Sequence, residues 1–225
     1  LNSLRMYRTR FLSEFGDMVL CYDSRHYWRR DYFPEYKHSR RKSRGTDDKN
    51  WDIIFDCLNT IKEEVKTNMP YKSIEVYGAE ADDIIATLCS ESSNEVMILS
   101  GDKDFIQLQK FPNVKQYSPI TKKMINGMNP DDYLKEHVLK GDTSDGVPNV
   151  LSPDNTFVDG IRQRPLSKKK IAMMVEGDFP NDEVKRNYQR NKKLIDLTCS
   201  PDELRSEILD TYKSAPVNDR SKILN

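Results

Sequence analysis

Short apolar runs that end at acidic turns do most to limit how this chain can fold. Met18-Val19-Leu20-Cys21-Tyr22 ends at Asp23, and Val96-Met97-Ile98-Leu99 runs into Ser100-Gly101-Asp102-Lys103-Asp104. Apolar runs this short, with no alternation, read as strands covered on both faces. Helices must supply that cover, and the spacing predicts them over Leu4–Phe15 and residues 51–67. In the second, Trp51, Ile54, Leu58, Ile61 and Val65 recur at steps of three and four, which predicts a core-facing stripe ended by Pro70. A short strand is expected over Ile74–Tyr77. A helix over 80–90 should point Ile84, Ile85 and Leu88 inward, and a short helix is expected over Asp104–Gln109. Val114–Tyr117 and Lys123–Ile125 read as a strand pair. The alternation predicts an α/β fold with a mostly parallel central sheet flanked by helices. Sites in such sheets gather at the C-terminal strand ends, where Asp23 and the Ser100–Asp104 turn fall.

After about residue 128 the strand signals stop. Asp131–Leu139, a segment from Ser167 to about Val175 and Asn181–Leu197 read as helices, with Ser167 as an N-cap. Ser200-Pro201-Asp202-Glu203 has the pattern of a capping box and predicts a last helix reaching about Tyr212. Residues 149–165 read as loop. The expected division is an α/β core over 1–140 and a helical region over 141–225.

A chain of 225 residues, 36% hydrophobic and 32% charged, can bury a substantial core. No apolar run is long enough to span a bilayer, and Leu1–Arg10 lacks the apolar core of a signal peptide. A cytoplasmic protein without membrane association is expected. Beginning at Leu1 rather than Met, the chain reads as cut from something longer. Cys21, Cys57, Cys89 and Cys199 form no C-x-x-C pair and no zinc spacing, which leaves reduced structural thiols. The formal charge of zero hides an uneven distribution. Arg25–Arg44 carries eight Lys and Arg against Asp31 and Glu35, and Gly160–Ile171 carries five with no acid. Basic patches beside acidic clusters can hold a polyanion in a neutral protein.

The acids fall in three groups: Glu80, Asp82 and Asp83; Asp102 and Asp104; Asp142 and Asp145 in Gly141-Asp142-Thr143-Ser144-Asp145. Taken singly, each has an ordinary explanation, in the helix macrodipole or in turn chemistry. Together with Asp23 they deliver carboxylates from four separate elements to one end of a sheet. Like charges so placed repel, and oxygen-preferring divalent cations are the usual remedy. A pair of such ions can clamp the attacking and leaving oxygens of a phosphodiester. Between Tyr27 and Gly45, the aromatics Trp28, Tyr32, Phe33 and Tyr36 interleave with basic residues, a pattern suited to nucleic acid. His26, His38 and His137 share no spacing and receive no role. Neither phosphate-loop glycine motif occurs.

Tyr77-Gly78-Ala79-Glu80-Ala81-Asp82-Asp83, Ser100-Gly101-Asp102-Lys103-Asp104-Phe105 and Gly141-Asp142-Thr143-Ser144-Asp145-Gly146-Val147-Pro148 resemble the 5′-nuclease family. That family holds flap endonucleases, the 5′–3′ exonuclease domains of bacterial DNA polymerase I and phage 5′ exonucleases. The resemblance is strongest to its branch of T-even-type phage ribonucleases H, and it covers nearly the whole chain. It implies a PIN/resolvase-like nuclease core and a two-ion Mg²⁺ site, with Mn²⁺ as an alternative. By the same resemblance Asp23, Glu80, Asp82, Asp102 and Asp104 are ligands, and Asp83, Asp142 and Asp145 surround the second ion. Arg29, Arg30 and Lys37 would act at the scissile phosphate from a helical arch over about 25–50. Tyr36, Arg40, Arg41, Lys42 and Arg44 would touch nucleic acid there. Residues 141–177 match a helix–three-turn–helix, with Arg162, Arg164, Lys168, Lys169 and Lys170 gripping duplex DNA.

Two departures stand out: the family's first strand and its Asp are missing, and so is the Gly-x-Gly turn of the DNA-binding hairpin. The implied function is removal of RNA primers and adjoining DNA from lagging-strand fragments during phage replication. A monomer is implied, acting on flap or RNA–DNA substrates, with fork partners such as a single-stranded-DNA-binding protein. A PIN-type ribonuclease and a non-catalytic binder of branched DNA are the alternatives.

Overall fold

The computed structural model describes residues 2–46 and 48–218, without the side chains of 41–43 and 46. The first helix, α1 (Asn2–Phe15), leads into β1 (Val19–Cys21). β1 pairs in parallel with β2 (Lys72–Ile74), Val19 opposite Lys72. β3 (Val96–Leu99) pairs in parallel with β4 (Val114–Ser118), which pairs antiparallel with β5 (Lys123–Ile125). The α/β reading and the predicted strand pair both hold. Their hydrogen bonds make two small sheets, β1-β2 and β3-β4-β5. β2 lies earlier than the expected Ile74–Tyr77. Beyond Ile74 the chain turns, with Ala79 N–H donating to Val76 O at 3.1 Å, and Tyr77 is left exposed.

One helix bridges the halves. α5 (Ala81–Glu91) places Ile84 in a core cluster with Ile74, Val76 and Ala79, and Ala86 and Cys89 in another with Ile98, Phe105, Leu108 and Val114. The last helix, α9 (Asp202–Ser214), seals the first cluster with Leu204 and Ile208. Its start corrects the capping-box reading. Pro201 is the N-cap, and the Ser200 hydroxyl donates instead to Asp83 Oδ1 at 2.6 Å.

Between β1 and β2 lie α2 (Trp28–Tyr32), α3 (His38–Thr46) and α4 (Trp51–Asn68). The stripe expected to face the core along α4 does so only at its end. Val65 is buried, whereas Leu58 and Ile61 are more than half exposed. Periodicity establishes a face, not a partner for it, and α4 buries its C-terminal end while Leu58 and Ile61 remain uncovered.

The helical half explains its own polar character. α6 (Pro130–Lys140) begins at Asn129, whose side chain accepts from the N–H groups of Asp131 and Asp132. Then come α7 (Lys168–Val175), where Ser167 caps as expected, and α8 (Asp182–Ile195). Asn187, Arg190 and Asn191 are buried on α8. They donate to the carbonyls of Val138, Pro148, Val150 and Ser152. An irregular loop can be buried only if its carbonyls find donors, and this helix supplies them. Among the described residues, no helix is long and apolar enough to cross a membrane, and the four cysteines are free.

Candidate active site

Each acidic group sits where local geometry forces it. Asp23 follows β1, and its Oδ1 accepts from Ala81 N–H at 2.7 Å, which ties the end of the strand to the start of α5. After β3, Asp102 caps a 3₁₀ helix over Lys103–Lys110 by accepting from Asp104 N–H at 3.0 Å. Gln116 secures that turn, donating to the carbonyls of Ser100 and Asp102. The third group depends on Gly141, at φ 69°. A Cβ there would lie 2.4 Å from Val147 O and 2.6 Å from Pro148 O, so no other residue fits. The chain reverses at that point, with Asp142 and Val147 exchanging backbone hydrogen bonds. Asp142 Oδ1 then accepts from Ser144 N–H and Oγ–H. Lys37 N–H donates to Asp145 O at 2.7 Å, docking this turn on the basic segment.

The result is a cavity lined by Asp82, Asp104, Asp142 and Asp145, with Arg29, Tyr36 and apolar residues of 147–197 as its walls. Asp82 and Asp104 carry the strain of the arrangement. Burial, then the charges of Glu80 and Asp23, push Asp82 up to about 7. Burial, then Asp102, Asp142, Asp82 and Asp145, push Asp104 up to about 7. Among the described residues neither carboxylate is paired with Lys or Arg; the basic group nearest Asp104 is His137, Nδ1 to Oδ1 3.5 Å. The other ring nitrogen lies 4.0 Å from Asp142 Oδ2. The ring is in the last turn of α6, one turn before Gly141. Sequence reasoning left it without a role, and its position just ahead of Gly141-Asp142 was the available signal.

Glu80 and Asp145 are bridged by cations and a phenol. Lys37 Nζ contacts Glu80 Oε1 and lies 3.6 Å from Asp145 Oδ2. Tyr36 OH lies 3.1 Å from Glu80 Oε2 and 2.8 Å from Asp145 Oδ2. Arg40 pairs with Asp145 Oδ1.

Asp83 departs from its expected place beside an ion. It is fully buried and faces away from the cavity, into a knot of partners. Arg29 Nη1 donates at 2.8 Å, Ser200 Oγ at 2.6 Å, and Trp28 Nε1 reaches both oxygens at 3.3 Å. Glu80 N–H donates to its Oδ2 at 3.0 Å, the return half of a capping box. Burial alone would raise the Asp83 pKa, but Arg29 and these donors hold it below the usual range. Arg29 differs too. It is 1% exposed, pairs with Glu80 and Asp83, and donates to Leu194 O. Its guanidinium thus stands in the cavity wall, clamped between Glu80 and Asp83. Arg30 is half-buried and pairs with no acid among the described residues. Arg44 lies over the rings of Trp51 and Phe55, away from the acids. Arg162, Arg164 and Lys168–Lys170 are all exposed, on and before α7. Arg41 and Lys42 lie outside the described side chains.

Known proteins give this arrangement its class. Residues 3–138 match the family model described as "5'-3' exonuclease, N-terminal resolvase-like domain". Residues 129–225 match that of "T4 RNase H, C terminal". The chain belongs to the 5′–3′ exonuclease family, whose members are phosphodiester hydrolases of the exonuclease and flap endonuclease type. It is 35% identical over 223 residues to the ribonuclease H of Enterobacteria phage T4, covering 92% of this chain and 72% of that protein. Identity to flap endonuclease Xni of Shewanella sp. (strain MR-4) is 28% over 134 residues, and the match spans about half of that relative, 48%. Two solved structures share the fold. A phage T5 protein co-crystallised with metal ions superposes with TM-score 0.68 at 17% identity, over 93% of this chain and 90% of that one. The phage T5 flap endonuclease, in a complex with DNA and metal ions, gives 0.65 at 15% identity, over 95% and 89%.

Proposed function

We propose that this chain is a Mg²⁺-dependent 5′→3′ nuclease that hydrolyses RNA primers and adjoining DNA from flap or primer-bearing duplexes during phage replication. The supporting observation is the cavity that holds Asp82 and Asp104 together, both pushed up to about 7 and neither paired with Lys or Arg among the described residues. Two divalent cations fit this donor set of hard oxygens. Asp23, Glu80, Asp82, Asp102, Asp104, Asp142 and Asp145 would hold them. Asp83 is left out, because it is fully buried and does not line the cavity. Bound ions acidify water and neutralise charge building on phosphoryl oxygens.

The chain's own side chains set up the rest. Tyr36 fixes the spacing of Glu80 and Asp145. Lys37 and Arg40, now on the acids, are the cations placed to turn toward a phosphate when the acids are neutralised. Arg29 holds Glu80 in place. On α7, three lysines occupy the first turn, where the helix dipole disfavours cations. A DNA phosphate at that N-terminus would satisfy dipole and lysines together. Residues 141–177 thus serve as the duplex grip, the basic segment over about 25–50 as the arch, and 1–140 as the catalytic core. Mn²⁺ would substitute for Mg²⁺. The working unit is a monomer in the host cytoplasm, meeting fork proteins such as a single-stranded-DNA-binding protein.

The test is cleavage of a 5′-labelled RNA–DNA hybrid and of a 5′ flap, with and without Mg²⁺. Release of short 5′ products by the native chain, lost in Asp104→Asn, is expected. Salt-sensitive binding without cleavage would make it a non-catalytic binder. Preference for unstructured RNA would make it a PIN-type ribonuclease.

A further inference from the structure

One group beside Asp104 and Asp142 is neither an acid nor a cation hydrogen-bonded to one. His137 Nδ1 is shut off from solvent and has no hydrogen-bond partner. Its distance of 3.5 Å to Asp104 Oδ1 is too long for a hydrogen bond. A buried polar atom left in this state needs an explanation. The other ring nitrogen is 4.0 Å from Asp142 Oδ2. Asp104, His137 and Asp142 each bring a donor atom within 4.8 Å of the others. Two donors sharing an ion at about 2.1 Å stand roughly 3.0 Å apart when adjacent and about 4.2 Å when opposite. The 3.5 Å and 4.0 Å distances belong to opposite ring nitrogens, only one of which can bind a given ion. One ring nitrogen and one oxygen from each aspartate, all within 4.8 Å, are near enough to close on a common ion.

The geometry points to His137 as a nitrogen ligand that, with Asp104 and Asp142, makes one of the two cation positions a mixed nitrogen–oxygen site favouring Mn²⁺-class ions over Mg²⁺. This rests on the cation site proposed above. Imidazole suits transition metals, whereas Mg²⁺ keeps to oxygen. The ring is held for the purpose. It sits in the last turn of α6, where Gly141 N–H closes on its own carbonyl at 2.9 Å, and Tyr133 packs against it with ring centres 5.6 Å apart. A ligand at this position would let the protein bind Mn²⁺ at concentrations where Mg²⁺ leaves that position empty.

The experiment is Mn²⁺ titration of the full chain followed by electron paramagnetic resonance, with pulsed detection of nitrogen coupled to the bound ion. The expected result is bound Mn²⁺ with an imidazole nitrogen coupling that changes when histidine alone is ¹⁵N-labelled. In His137→Gln the coupling should disappear and Mn²⁺ affinity should fall on the order of tenfold or more, with Mg²⁺ affinity (from competition) moving far less. Bound Mn²⁺ with no nitrogen coupling in the native chain would overturn the inference and leave the oxygen site standing. No bound Mn²⁺ at all would overturn both. The native-chain spectrum decides the matter even if the variant folds poorly.

Discussion

Asp82 and Asp83 are neighbours on one helix, yet the molecule treats them in opposite ways. Asp83 is buried in a closed knot where Arg29, Ser200, Trp28 and the Glu80 amide satisfy it. Asp82 faces an open cluster where acids accumulate and no Lys or Arg among the described residues pairs with it or with Asp104. One carboxyl is held below its usual range, and the other is pushed up to about 7. Adjacent helix positions diverge by about 100°, so a single step separates wall from cavity. The lesson is that a carboxylate used for structure is one the protein has already paired. Asp82 and Asp104 are left in want of charge, whereas Glu80 and Asp145 are held by Lys37 and Arg40.

That contrast can be broken most forcefully from the closed side. Asp83→Ala strands Arg29 in the core, and urea unfolding should show a loss of about 3–5 kcal/mol. A loss near zero would move Asp83 to the open cluster. Next in size, Asp82→Asn and Asp104→Asn should each stabilise the cation-free protein by about 0.5–2 kcal/mol while abolishing cleavage, the trade expected of a strained site.

The two sites should also differ in pH dependence. Between the ordinary 3.8 and about 7, the folded protein binds protons at Asp82 and Asp104 more tightly than the unfolded chain does. Their contribution therefore falls as pH rises through that window. Asp83 runs the other way. Its contribution is present above its ordinary value and is lost as pH falls below it. In cation-free buffer, melting temperature from pH 5 to 8 should decline, and it should decline less in the Asp82→Asn, Asp104→Asn double variant. The smallest effect on stability lies at α7. Lys168→Gln, Lys169→Gln and Lys170→Gln should each leave stability within about 0.5 kcal/mol. Each should also lower the salt slope of duplex binding by about 1.

Much of this was readable from residue order. The acids after β1 and β3 and in the Gly141 turn announced themselves, because strand ends and tight turns are local events. The strand pair, the Ser167 cap and the core face of α5 were legible for the same reason. What escaped depends on distant partners. The Ser200 pattern looked like a cap, but Asp83 reaches it across more than a hundred residues. The apolar stripe of α4 looked like core, yet among the described residues little covers Leu58 and Ile61. Asp83 carried a legible clue in its position three residues after Glu80, the spacing of a capping box. His137 carried almost none, since its neighbours Asp104 and Asp142 come together only through the fold.

The most direct test is thermal melting at pH 8 with and without millimolar Mg²⁺, on the native chain and on the Asp82→Asn, Asp104→Asn double variant. A rise in melting temperature in the native chain, absent from the variant, is the predicted outcome. An equal rise in both, or none in the native chain, would contradict the claim that these carboxylates are kept for cations.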